Sequence, residues 1–253
     1  MNEWNRVIDE SLIAKRTARG GTLSDVVAAG PVASLLLILL LSADIGFIAL
    51  HVVDAVTHIS GDPLLALDRD KGYPEVFQYL KWLWAFIVLV WVAVWRRSFR
   101  YVAWALVFAY FLVDDVLSLH EVFGSAVARR LTFAAPFGLR LQDMGELAVS
   151  VSAGLVLLLG VLVAYRRSSD AFKAMCQDLL VLVLLLAFFG VFCDMVHQMA
   201  PQGSTLKFSL GVVEDGGEMV AASFIVWYAF LVGVHTADSH PRLIRFVRAV
   251  VRA

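Results

Sequence analysis

The sequence predicts an all-α polytopic membrane protein, a six-transmembrane-helix bundle with an amphipathic interfacial helix at each terminus. Three observations predict it. Of the 253 residues, 60% are hydrophobic and 17% charged, against about a quarter charged in a soluble domain. Six apolar stretches can each cross a hydrocarbon core about 30 Å thick at about 1.5 Å per residue. The basic residues gather on alternate inter-span segments, as an even number of spans requires.

The stretches cover residues 31–53, 76–95, 101–119, 147–165, 179–196 and 210–234. The first begins too late and runs too long for a cleaved signal peptide, and no small-residue cleavage site follows it. It is expected to be a retained helix. Before it, Trp4, Val7, Ile8 and Leu12 share one helical face, which predicts an interfacial helix within residues 1–29. After the last span, Leu243, Ile244, Phe246, Val247 and Val250 stand among four arginines, which predicts a basic amphipathic helix within 237–253 on anionic lipid. The six spans then occupy one unit, 30–236, with no soluble domain, internal repeat or low-complexity tract.

Orientation follows from the positive-inside rule. One side collects fourteen of the 21 basic residues, among them Arg96, Arg97, Arg100, Arg166, Arg167 and Lys173. The other side holds Arg69, Lys71, Lys81, Arg129, Arg130, Arg140 and Lys207. The expected topology is therefore multi-pass, with N- and C-termini cytoplasmic. The net charge of −1 gives no reason to expect nucleic acid as a partner. The expected partners are membrane lipid and either a second copy of the chain or a larger membrane complex. Cys176 and Cys193 lie far apart on one predicted helix and cannot pair.

Ionisable groups within spans cost about 2.5–3.5 kcal/mol each on insertion scales, so each one raises a functional question. Span one carries Asp44, His51 and His58 at seven-residue spacing with Asp54 nearby, a pattern that can turn all four toward the interior. Span three carries Asp114, Asp115, His120 and Glu121. Span four opens with Asp143 and Glu146, span five ends with Asp194 and His197, and span six opens with Glu214, Asp215 and Glu218. The assigned topology puts all these helix ends on the outer side, while the inner ends carry arginine. Acids crowded in a low dielectric need cations or protons to offset them.

Metal binding supplies that charge. The expected ligands are Asp115, His120, Glu121, Glu146, Asp194, His197, Glu214 and Glu218, with Asp44, His51, Asp54, His58, Asp114, Asp143 and Asp215 as additional candidates. Mixed imidazole and carboxylate donors suit a transition metal ion, zinc or iron before calcium, as one ion or a dinuclear pair. The Asp194 and His197 spacing is similar to the i, i+3 carboxylate and histidine pairs of di-iron four-helix bundles, but with Asp for Glu and no second pair.

The phrases Asp114-Asp115-Val116-Leu117-Ser118-Leu119-His120-Glu121 and Glu214-Asp215-Gly216-Gly217-Glu218-Met219 resemble paired signatures of uncharacterised bacterial multipass membrane proteins. That resemblance spans two helices. It implies a bacterial source, hence a bacterial cytoplasmic (inner) membrane with the acidic helix ends on its periplasmic side, and a site that the two helices build together, and it carries no activity. No metalloprotease His-Glu-x-x-His, nucleophile elbow or phosphate loop is present. The function expected first is a membrane-embedded, metal-dependent enzyme acting on a lipid or apolar substrate at the outer leaflet. A metal-cation transporter, a metal-handling accessory subunit and a haem carrier follow in that order.

Overall fold

The computed structural model describes residues 31–133, 135–136 and 139–234. The amphipathic helices expected at the two termini lie outside the described residues, as do His235 and His240. Everything regular among the described residues is helical. The elements in order are α1 (Pro31–Thr57), a single 3-10 turn (Pro63–Leu65), α2 (Tyr73–Trp95), α3 (Arg100–Leu117), α4 (Leu119–Ala128), α5 (Leu141–Arg166), α6 (Asp170–Ala187), a π-helical segment (Phe188–Cys193), α7 (Asp194–Met199) and α8 (Thr205–Val234).

Five helical stretches are long and apolar enough to cross a membrane, and the count reaches six when α3 and α4 are taken as one broken span. The α6 helix, the π segment and α7 form one of those stretches, Asp170–Met199. Their outward surfaces are apolar: Leu39, Ile87, Val94, Val156, Leu159, Val163 and Leu184 all stand exposed. In water this would be a large apolar patch. Against lipid tails it costs nothing.

The interior is built around α8. It packs on α1, α2, α6, the π segment and α7, and buries Ala221, Ala222, Ile225, Tyr228, Ala229 and Val232 completely. Small residues on this helix let its neighbours approach closely, the usual way membrane helices gain contact when no hydrophobic force separates lipid from Leu. Trp82, Phe108, Leu89, Met175 and Leu179 fill the centre. Trp82 stacks on Phe108 at 6.2 Å with ring planes 4° apart.

Two departures from the expected spans shape the site. Span three does not run straight. The chain breaks at Ser118, whose backbone is left-handed at φ 47° and ψ 46°, and α4 leaves at 71° to α3. No proline or glycine marks the break. Asp114 accounts for it: its carboxylate accepts the backbone N–H of His120 at 2.9 Å, satisfying a donor that the start of α4 would otherwise leave unpaired. Helix thus continues to Ala128, beyond the predicted end of span three at 119.

The second departure is Lys81. Counted by position among the outer basic residues, it is fully buried instead, three residues from buried Gln78 and four from buried Ala85 on the inward face of α2. Its Nζ lies 2.5 Å from Asp44 Oδ1 and 2.8 Å from the carbonyl oxygen of Met219. Ser223 donates its hydroxyl to the other Asp44 oxygen at 2.5 Å. A charge in this place needs a partner with several hydrogen bonds to offset desolvation, and both ions have them.

Candidate functional site

One end of the bundle encloses a polar cavity of about 620 Å³. It lies where α1, α3 and α7 end and where α2, α5 and α8 begin. Arg96, Arg97, Arg166 and Arg167 are at the opposite helix ends. Twelve carboxylates line it against two arginines, Arg69 and Arg140. Asp68, Asp70 and Glu75 come from the first loop and the start of α2. The helices supply Asp114, Asp115, Glu121, Asp143, Glu146, Asp194, Glu214, Asp215 and Glu218, together with His120 and His197.

The tightest cluster joins α7 to α8. Asp194, His197 and Glu214 each offer a ligand atom, and these atoms all lie within 4.8 Å of one another. His197 Nδ1 stands 2.6 Å from Glu214 Oε2. A contact this short holds one proton between imidazole and carboxylate. Two ligand atoms each about 2.0–2.2 Å from a tetrahedral zinc stand roughly 3.3 Å apart, so a metal in the proton's place needs the pair to open by a fraction of an ångström. Asp194 keeps one oxygen on the Gln198 amide at 3.1 Å. Lys207 donates to the His197 carbonyl at 3.3 Å, tying α7 to the first turn of α8.

The backbone around the cluster is cut to fit the side chains. A Cβ on Gly211 would stand 3.2 Å from His197 Cε1, so glycine leaves the ring its place. A Cβ on Gly190, within the π segment, would come 2.3 Å from Glu218 Oε1. π-helical turns are rare and recur at functional sites. Here the turn presents its bare glycine to a carboxylate of α8.

Across the cavity, the second histidine belongs to α4. His120 Nδ1 lies 3.1 Å from Asp114 Oδ2, so the residue that makes the kink also orients the imidazole. Asp115 accepts from the Trp82 indole at 2.7 Å, and Glu146 accepts from Gln142 at 2.7 Å. Gln78 faces the same space and is buried, with no hydrogen-bond partner among the described residues for its Oε1. A buried acceptor left without a donor costs about 1–3 kcal/mol, which a ligand in the cavity can recover.

All eight residues expected as principal ligands line this cavity, as do Asp114, Asp143 and Asp215. Asp143 is bound by Arg140 through the backbone N–H and two guanidinium contacts at 2.6–2.9 Å, a helix-capping arrangement. Those bonds push the Arg140 guanidinium above its ordinary pKa. Four expected residues lie elsewhere. Asp44 is in the Lys81 pair below the cavity. His51 accepts the Leu67 N–H at 3.2 Å and stacks on Phe208. Asp54 accepts from the Ser60 and Gly61 N–H groups, and His58 is exposed at the end of α1 with φ 51°.

Residues 27–234 match the family described as Domain of unknown function (DUF8692). The chain belongs to this family. The match covers all six predicted spans and the whole cavity, so the acid-lined end lies inside the DUF8692 region. No curated protein and no solved structure matches the chain.

Proposed function

We propose that this DUF8692 protein is a membrane-embedded, metal-dependent enzyme that acts on a lipid or other apolar substrate. The observation that carries the reading is the Asp194, His197 and Glu214 cluster on the wall of a cavity lined by twelve carboxylates. One imidazole and two carboxylates make a donor set for zinc or iron, and the remaining acids supply ligands for a second ion. The unpartnered Gln78 oxygen supports a ligand in the same space. A metal bound by these residues would lower the pKa of its water and polarise an ester or phosphoryl oxygen. The chain's own residues fix the donors: Gln198 holds Asp194, Lys207 holds the His197 backbone, and Asp114 orients His120.

Cation transport and a metal-handling role within a larger complex are the alternatives. The interior beneath the cavity favours catalysis over transport: the Asp44 and Lys81 charges there are closed on each other, and Trp82, Phe108, Met175, Leu179 and Ile225 fill the space around them. An ion passing there would lose its hydration against apolar walls. By the positive-inside asymmetry, we assign the acidic end to the periplasmic face of a bacterial inner membrane.

Metal analysis of protein purified without added metal, followed by incubation of loaded and chelated protein with a bacterial lipid extract, tests the reading. About one or two transition-metal ions per chain and metal-dependent lipid turnover are expected. A folded, metal-free preparation that is indifferent to chelators overturns it. Metal accumulation in reconstituted vesicles without turnover selects the transporter.

A further inference from the structure

The same helices that wall the acidic cavity also form an apolar groove on a different face. It has a volume of about 720 Å³, within the ~300–1,000 Å³ of typical small-molecule sites. On α4, His120 and Glu121 face the cavity whereas Phe123, Ala126 and Val127 face the groove. On α5, Glu146 and Ser150 face the cavity, and the groove residues run from Ala148 to Leu157. The nine helical steps from Ala148 to Leu157 make that wall about 14 Å long, descending from the acidic end toward the apolar middle of the bundle.

Arg130 is the one charged residue lining the groove. It follows the end of α4, is exposed, and has no carboxylate within ion-pair distance among the described residues. The cavity on the other face would repel an anion. A guanidinium beside an apolar channel complements a phosphate carried on an acyl chain, and arginine binds phosphate bidentately.

We infer that the groove between α4 and α5 is an acyl-chain slot for an anionic phospholipid, its phosphate on Arg130. As the substrate class of the neighbouring cavity, this lipid rests on the enzyme reading. Its binding does not.

The test incubates the full chain in detergent with equal amounts of phosphatidylglycerol and phosphatidylcholine. Retained lipid is then counted by native mass spectrometry, and metal is measured on the same samples. Wild type is expected to keep one phosphatidylglycerol through delipidation that strips the rest. Ala153→Trp, which fills the groove, should lose it. Arg130→Gln should retain the two lipids equally, while Arg129→Gln, beside the groove but not lining it, should keep the preference. Should Ala153→Trp not fold, Ala126→Leu narrows the groove from the α4 side with the same expected loss. Unchanged phosphatidylglycerol in the filled groove, or an unchanged preference in Arg130→Gln, means non-specific boundary lipid and overturns the inference. Held lipid without metal leaves the slot standing and removes the enzyme reading. Metal without held lipid does the reverse.

Discussion

Asp44 and Lys81, 37 residues apart in sequence, form an ion pair in which neither side chain has any accessible surface. The pair sits one turn from Glu218 along α8, through the Met219 carbonyl and the Ser223 hydroxyl. It is a clamp between α1, α2 and α8.

Breaking the clamp should therefore damage the fold rather than the chemistry. Lys81→Met leaves Asp44 buried without a counter-charge and is expected to cost about 3–5 kcal/mol. The double change of Lys81→Met with Asp44→Leu should recover most of that loss, since two apolar groups replace two ions. Thermal unfolding in detergent micelles measures both. A double variant no better than the single would remove the pairing from the account.

If the Asp194, His197 and Glu214 cluster holds a metal, His197→Ala and Glu214→Gln should each lower the metal content while leaving the unfolding midpoint near that of wild type. Protons compete for imidazole and carboxylate, so affinity should fall as pH falls, up to about tenfold per pH unit for each proton displaced. Titration with zinc from pH 8 to pH 5, read by a competing chelator, checks the direction. A pH-independent affinity would argue against these donors.

The kink at Ser118 makes its own statement. A left-handed backbone at a non-glycine residue costs roughly 1–3 kcal/mol unless its surroundings enforce it. Ser118→Gly should be neutral or stabilising, whereas Ser118→Val should destabilise by about 1–3 kcal/mol because a branched Cβ clashes at positive φ. If Ser118→Val is harmless, α3 and α4 run on as one straight helix.

Gly190→Ala separates site from scaffold. The added methyl meets the mobile end of Glu218 rather than backbone, so the fold should survive with a stability change of about 1 kcal/mol or less. The displaced carboxylate should still alter metal affinity or turnover. Equal metal binding and activity in this variant would remove Glu218 from the site.

Much of this architecture was legible in the sequence. Long apolar runs need no tertiary information, because lipid allows only helices there. The gathering of Asp115, Glu146, Asp194, Glu214 and Glu218 at one end followed from antiparallel neighbours. What escaped depends on who sits opposite whom. Lys81 was assigned by its distance from the helix end, but only packing reveals that Asp44 faces it. The seven-residue spacing of Asp44, His51 and His58 gives a shared face and says nothing about its neighbour. Asp54 folds back on Ser60 and Gly61, and His51 holds Leu67. Asp68 and Asp70 lie in the loop before α2, outside the predicted spans, yet they line the cavity together with Glu75 of the first turn of α2. The break at Ser118 has no marker residue, and the six-residue reach of Asp114 to His120 was its one available clue.

The excess of carboxylates over arginines in the cavity gives this end of the bundle the properties of an ion-exchange resin. Cations drawn there would partition by the charge of the acids that stay ionised, and only weakly by the bulk concentration. Oxygen donors alone would load it with whichever hard cation is abundant. Discrimination then falls to two nitrogens, those of His120 and His197. A pair of imidazoles among a dozen acids would decide whether such a resin takes a common cation or a scarce transition ion.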